Sequence, residues 1–297
     1  MKKLNVFIIV LSFFLYYNTI FADVNTLFNI DIYDRNIPVN TNTGVYSNEL
    51  FIEQTVLGGF NYIKFNLETK LYYRLYMYKM TDNNLFKNTK ADFGIENNFS
   101  LSSDMVGIFA DIKPLSFLGI RVSAYLDFMF NAMNFGYAGF DNNNNIDYSF
   151  NTLFAMQKGN AFGFLINVSP YFVFKFNHFV LIDNFTMTYI NVGDKNYYYD
   201  PRTAILHKKS EFELINDFYL LGNINPFYIG GYYGLTYLVN SKHLSHKFGI
   251  AGIINFNFLK DTLLLNIGAT AGLHVGLPNY NNTTFIELKL SLAYKIL

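Results

Sequence analysis

The sequence lacks cysteine and tryptophan, and charged residues make up only 15% of it. The absence of cysteine excludes disulfides, thiolate metal sites, a cysteine nucleophile and a lipid-modified N-terminal cysteine. The 22 basic residues balance the 22 acidic ones, so no global field favours nucleic acid or anionic lipid. Beyond residue 22, no apolar run approaches the roughly 20 residues that a membrane-spanning helix needs.

Hydrophobic residues nevertheless reach 51% of the chain, with 33 phenylalanines and 24 tyrosines. The final segment, 284–297, shows how this apolar content is arranged. Its even positions from Ile286 to Ile296 are all apolar, whereas most odd positions, such as Glu287 and Lys289, are polar. Because strand side chains alternate between two faces, this pattern predicts a strand with one face toward lipid and the other toward a polar lumen.

The N-terminus has the three parts of a secretory signal. A basic start at Lys2 and Lys3 precedes an apolar stretch over 6–15, and Ala22 precedes the polar Asp23. The sequence therefore predicts a signal peptide over 1–22 and one barrel domain over 23–297, which contains 275 residues (297 minus 22). An uncleaved anchor helix is the alternative, because no charge occurs between residues 4 and 22.

Alternation of period two recurs along the rest of the chain. It predicts strands near 24–33, 45–65, 70–79, 92–112, 117–130, 161–176, 179–190, 205–221, 227–238, 248–258, 263–275 and 284–296. Twelve is an even number, which places both chain ends on the periplasmic side, as bacterial barrels require; ten or fourteen strands are the alternatives. A change of parity between Leu101 and Val106 predicts a bulge or an extra turn within 92–112.

Long polar segments alternate with short reversals between these strands. The long segments are 34–44, 81–90, 131–145, 191–202, 240–246 and 276–283, and the short ones are 66–69, 113–116, 176–178, 222–226 and 259–262. Outer-membrane barrels have long extracellular loops and short periplasmic turns, so we expect the long segments to lie outside the cell. The stretch 146–154 is ambiguous and is compatible with a strand extended above the membrane.

Together, the signal-like start, amphipathic strands, loop asymmetry and amphipathic C-terminal strand make residues 23–297 resemble the bacterial outer-membrane β-barrel superfamily. The resemblance is porin-like and points to no specific subfamily. It implies an all-β fold, a transmembrane antiparallel up-and-down β-barrel of about twelve strands, in the outer membrane. It also implies two partners, outer-membrane lipid and the outer-membrane assembly machinery. That machinery usually reads a terminal aromatic residue, whereas this chain ends with Ile296 and Leu297.

The polar faces of the strands would line the lumen and carry charges of both signs. Basic side chains come from the second to sixth predicted strands and acidic ones from the eighth. Two facing walls of opposite charge would orient dipolar solutes at a constriction. The basic wall comprises Lys64, Lys70, Arg74, Arg121 and Lys175, and the acidic wall comprises Glu211, Glu213 and Asp217. The alternative is an interior packed with salt bridges, because side chains nearly fill a narrow barrel.

The sequence therefore favours a porin-like channel for small hydrophilic solutes. A closed, surface-exposed barrel with a structural, adhesive or antigenic role is the alternative, and an outer-membrane enzyme is a remote third class. His274 shares its strand face with Asn266 and Thr270 and is therefore predicted to point inward, and no Ser-Asn-Gly sequence follows it. His243 and His246 lie in a polar segment without a nearby carboxylate. We predict no enzymatic activity, no catalytic, cofactor-binding or metal site, no cofactor and no nucleic-acid partner.

Overall fold

The computed structural model describes residues 39–40, 45–46, 48–60, 64–77, 85–86, 89–132, 134–142, 147, 149–176, 178–224, 227–258 and 262–296. The predicted signal peptide, 1–22, and the first predicted strand, 24–33, lie outside these residues. Within them, no helix is long and apolar enough to cross a membrane.

The described chain is almost entirely β-structure. Its elements in chain order are β1 (Val39–Asn40), β2 (Val45–Tyr46), β3 (Glu49–Phe60), β4 (Lys64–Tyr76), β5 (Lys90–Phe99), β6 (Ser103–Leu115), β7 (Leu118–Met129), β8 (Ala138–Phe140), α1 (Phe150–Ala155), β9 (Ala161–Phe176), β10 (Phe179–Val192), β11 (Tyr197–Asp200), β12 (Ile205–Lys208), β13 (Ser210–Ile224), β14 (Phe227–Leu238), β15 (His243–Phe258), β16 (Leu263–Val275) and β17 (Thr284–Lys295).

Twelve of these strands form a closed antiparallel barrel. The ring runs β3-β4-β5-β6-β7-β9-β10-β13-β14-β15-β16-β17 and closes between β17 and β3, where Leu290 is the register partner of Val56. Each strand pairs with its neighbours in sequence order, and ring closure leaves no unpaired sheet edge. The predicted fold, an antiparallel barrel of about twelve strands, is confirmed.

Alternation along each strand separates an apolar exterior from a polar interior. On β17, Ile286 and Leu288 are about half exposed on the outer face, while Glu287, Lys289 and Ser291 are buried in the lumen. The same separation holds on β7, where Leu126 and Phe128 face outward and Ser123 and Asp127 face inward. The outer wall is therefore predominantly apolar, which is the pattern typical of a lipid-facing surface.

Several predicted strand boundaries were wrong: the segment 205–221 is divided between β12 and β13, and β15 begins within the predicted polar segment 240–246. The segment 92–112, taken as one strand, is divided between β5 and β6, so of the two predicted alternatives the extra turn is confirmed and the bulge is wrong. The predicted reversal at 66–69 lies within β4, and the chain reverses earlier, between Phe60 and Lys64. The reversal at 66–69 was wrongly predicted because inward-facing Asn66 and Glu68 have the polar composition of a turn.

The connections divide between the two ends of the barrel. β3 begins and β17 finishes at one end, here called the terminal end, and the opposite end is called the loop end. The segment 81–90 was predicted to be extracellular, but the connection between β4 and β5 that contains it belongs to the terminal end. There, the Leu85 carbonyl accepts a hydrogen bond (2.8 Å) from the Ser116 amide in the short turn between β6 and β7. The connections 130–160 and 193–209 share the loop end.

These two connections build a second, smaller structure at the loop end. β8, β11 and β12 form a three-stranded sheet in the order β12-β11-β8. The stretch 146–154, which allowed a strand extension, instead includes the short helix α1. The Tyr137 and Tyr198 rings stack at 5.9 Å, which joins the two connections through their aromatic side chains.

Candidate functional site in the lumen and at its mouth

Three of the predicted basic residues lie in the lumen, and each has an acidic partner on the same strand, on the next strand or two strands away. Lys70 pairs with Glu68, and Arg121 pairs with Glu96. Arg74 makes two hydrogen bonds with Asp92, from Nε at 2.7 Å and from Nη2 at 2.8 Å. Such paired geometry offsets part of the cost of removing these charges from water.

Aromatic rings line the same side of the lumen as these ion pairs. The Arg74 guanidinium carbon lies 4.9 Å from the centre of the Phe51 ring, and that of Arg121 lies 4.1 Å from the centre of the Phe109 ring. Phe51 and Phe109 are themselves buried and pack with Tyr72. Cation–π contacts of this kind add to the stabilisation of a desolvated guanidinium.

The three predicted acidic residues all face inward from β13, the strand directly opposite β4 in the ring. Glu211 accepts hydrogen bonds from the backbone amides of Asn240 (2.7 Å) and Ser241 (3.0 Å), so it fixes the connection between β14 and β15. Asp217 accepts a hydrogen bond from the Tyr232 hydroxyl at 2.7 Å. Glu211 and Asp217 therefore take part in structural contacts with neighbouring segments of the chain.

Lys175 and Lys64, the remaining two predicted basic residues, do not add to the basic wall of the lumen. Lys175 has the inward parity of β9, but it is exposed near the terminal end of that strand. The side chain of Lys64 lies outside the described part of the structure. The acidic partners Glu68 and Asp92 were missed, although Glu68 has the inward parity of Lys70 on β4 and Asp92 has that of Glu96 on β5.

Inward-facing tyrosines bridge non-adjacent strands by lying across glycines. Tyr125 on β7 crosses Gly107 on β6, and its hydroxyl donates to Glu96 on β5 at 3.0 Å. In the same way, Tyr171 on β9 crosses Gly119 on β7, and its hydroxyl donates to Asp111 on β6 at 2.9 Å. A Cβ at either glycine would collide with the ring, so the missing side chain is what allows this packing.

A buried apolar cluster fills part of the other half of the lumen, beside the inward-facing acidic residues of β13. The cluster consists of Tyr171, Val173, Val180, Ile182, Tyr219, Leu221, Tyr232, Ala251, Ile253 and Phe285. Tyr219 and Tyr232 stack at 4.8 Å within it. The lumen is therefore asymmetric: the three ion pairs of the predicted basic residues lie on β4 to β7, and the apolar cluster lies on strands between β9 and β17.

A cavity of about 180 Å³ lies between the two halves. Arg121 and Glu96 contribute to it from the basic side, and Glu213 and Asp217 contribute from the acidic side. Hydroxyl and amide groups make up much of the remaining wall, from Ser123, Asn167, Ser169, Asn184, Thr186, Thr188, Thr236 and Ser245. One water molecule needs roughly 10–15 Å³ of cavity volume, so the cavity has room for several waters or one small polar molecule.

A tight turn of the connection 193–209 covers this cavity from the loop end. The Ala204 amide donates to the Asp200 carbonyl at 2.8 Å, and Ala204 has a left-handed backbone with φ of 58°. Within the turn, Arg202 pairs with Asp200, lines the cavity and approaches the Met105 sulfur on β6 at 3.7 Å. This loop contribution was not predicted from sequence, because strand parity carries no information on how a loop folds.

Burial controls the protonation of the groups around this turn. Burial opposes ionisation of Asp200, but Arg202 and His207 outweigh it and hold the pKa of this carboxyl at about 2. Burial lowers the pKa of His207 to about 4, despite the opposing effect of Asp200. His207 is therefore neutral at neutral pH, and its Nε2 lies 2.7 Å from the Thr203 hydroxyl.

The other histidines lie apart from one another. His274 faces the lumen and packs on Phe285 at 4.8 Å, as its inward parity predicted. His246 lies on the outer face, where its Nδ1 is 3.0 Å from the Tyr233 hydroxyl, while His243 begins β15. Among the residues that the structure describes, no group of three or more His, Cys, Asp or Glu side chains is placed to hold a metal ion.

No protein-family model and no curated protein matches this chain. Solved structures similar to it include the NanC porin (12% identity, 83% of this chain and 100% of that chain, TM-score 0.38). LpxR from Salmonella typhimurium is similar over 81% of this chain and 99% of its own, with 5% identity and a TM-score of 0.39. The translocator domain of the autotransporter NalP from Neisseria meningitidis is similar over 83% and 88%, with 9% identity and a TM-score of 0.39. Similarities at this level say nothing about activity.

Proposed function

We propose that this protein is an integral outer-membrane β-barrel whose lumen is closed, and that it acts at the cell surface without constitutive transport. The apolar outer wall supports membrane insertion, because a closed barrel satisfies its backbone hydrogen bonds and can face lipid all round. The loop end, which carries the structured sheet of β8, β11 and β12, is then the extracellular end.

The burial of the lumen charges carries the proposal of a closed barrel. Glu68, Lys70 and Glu96 are only 1%, 3% and 3% exposed, respectively. In a water-filled pore, inward-facing charges would be accessible to solvent. Packing them as ion pairs is the alternative that the narrow ring of twelve strands allows.

Passage of small hydrophilic solutes is the second candidate, and the polar cavity favours it. Residues of both predicted walls face this cavity, and the turn containing Arg202 and Thr203 covers it. In this second candidate, displacement of the turn would connect the cavity to the outside. The two candidates therefore differ in whether the lumen conducts.

Conductance recording in planar bilayers tests the proposal. Folded, heat-modifiable protein should give no discrete openings, with an established porin in the same bilayers as the positive control. The double variants Arg74→Gln/Arg121→Gln and Glu211→Gln/Glu213→Gln should both lower thermal stability. Discrete openings in the wild type would refute the closed barrel and support the channel. In a channel, the reversal potential should shift toward cation preference in the first variant and toward anion preference in the second.

A further inference from the structure

Asp183 is one of two acidic side chains that face outward on the described barrel strands; the other, Asp104, lies at the loop-end start of β6. Asp183 lies on β10 between Ile182 and Asn184, which are both buried in the lumen, so Asp183 faces the other way. Its register partners on the two neighbouring strands are Phe172 on β9 and Phe218 on β13. Ionisable groups at lipid-facing positions of a barrel are unfavourable and mark a functional surface.

A polar partner for this carboxylate lies on the next strand. Asn216 on β13 also faces outward, since Asp217 beside it is buried in the lumen. The Asn216 side-chain amide donates a hydrogen bond to Asp183 Oδ1 at 2.6 Å. Together they form a polar patch on an outer wall that is otherwise lined here by Phe172, Phe218 and Met187.

A second irregularity lies beside this patch. Pro170 occupies an outward position in the middle of β9, where it has no N–H to donate to a neighbouring strand. The register between β9 and β10 is continuous up to the pair Asn184 and Tyr171 and resumes at Met187 and Val168, so the ladder is interrupted at Pro170. Backbone groups without ladder partners are costly against lipid.

We propose that this face, made by β9, β10 and β13 around Asp183 and Asn216, binds a second copy of the chain within the membrane. Asn216 offers two N–H donors and Asp183 offers two acceptor oxygens, while the hydrogen bond within one chain uses one of each. A twofold axis through the patch places Asn216 of each copy beside Asp183 of its partner. The patch carries both a donor and an acceptor and is therefore self-complementary, as an isologous interface requires.

This inference rests on the proposed membrane location but not on whether the lumen is closed. The absence of cysteine makes the chain a clean background for cross-linking. Met187→Cys places a thiol on the outer face of β10, four residues after Asp183. Val56→Cys is the matched control, because β3 lies directly opposite β10 in the ring and Val56 has the outward parity of that strand.

In native membranes, a short bis-maleimide should convert Met187→Cys to a covalent dimer and leave Val56→Cys monomeric. Replacing Asp183 or Asn216 with leucine should weaken dimerisation by roughly tenfold, because a twofold contact loses its hydrogen bonds in pairs. Both leucine variants should remain membrane-inserted and heat-modifiable. If the protein inserts but cross-links equally at both positions, or at neither, the proposed dimer is refuted and the membrane location is retained. Protein that does not insert at all would overturn the membrane location as well.

Discussion

Breaking the ion pair between Arg74 and Asp92 should reveal whether the lumen is packed or filled with water. Arg74→Leu removes the guanidinium but keeps much of the side-chain volume between Phe51 and Tyr72. The side chains of the pair are only 4% and 8% exposed, so the carboxylate left behind has little access to solvent.

The expected loss in unfolding free energy is about 3–5 kcal/mol, the range for removing one partner of a buried salt bridge. The lower end applies here, because Lys90 Nζ remains 3.6 Å from Asp92 Oδ2 and partly compensates the remaining charge. Replacing both residues with leucine should recover most of the loss, since no unpaired charge then remains. The double variant also completes a mutant cycle that isolates the pairwise energy.

The measurement is urea unfolding of the barrel reconstituted in lipid vesicles, followed by tyrosine fluorescence and by heat modifiability. Lys195→Ala is the matched control. Its partner Asp141 lies 3.0 Å away, but the two side chains are 40% and 75% exposed at the loop end. Losing this pair should cost no more than about 1 kcal/mol. An equally small loss for Arg74→Leu would mean that water reaches the lumen pair, and the closed barrel would have to be abandoned.

Further predictions concern topology, the lipid-facing wall and the loop end. A maleimide should label Asn142→Cys on intact cells but His178→Cys only after permeabilisation, because the two sites lie at opposite ends of the barrel; the reverse pattern would invert the orientation. Leu290→Arg should cost about 2–4 kcal/mol of stability near the bilayer midplane, measured by urea titration, whereas Leu290→Met should be nearly neutral; equal tolerance would argue against a lipid-facing wall. Folding lowers the pKa of His207 from 6.5 to about 4, so the unfolded connection binds a proton at a higher pH than the folded one. The three-stranded sheet of β8, β11 and β12 should therefore lose stability as the pH falls from 6.5 to 4. Proteolysis of the connection 193–209 should therefore accelerate over this range in the wild type but not in His207→Gln, and identical profiles would assign the effect to another group.

Local alternation was enough to predict the architecture from sequence. A strand places successive side chains on opposite faces, so the apolar positions of β17 indicate a lipid-facing surface without knowledge of its neighbours. The same alternation predicted the inward direction of Arg74, Arg121 and Glu213. It failed at Asn66 and Glu68, because lumen-facing polar residues and turn residues have the same composition.

The partners of the charged side chains were decided only by the tertiary structure. Arg74 meets Asp92 because the register between β4 and β5 makes the two residues direct partners, and no local pattern encodes that register. The turn around Arg202 covers the cavity because a loop is free to fold inward, which strand periodicity does not describe. The sequence by itself thus determined the alternation and the ring of strands, whereas the pairing of the lumen charges depended on contacts between segments distant in the chain.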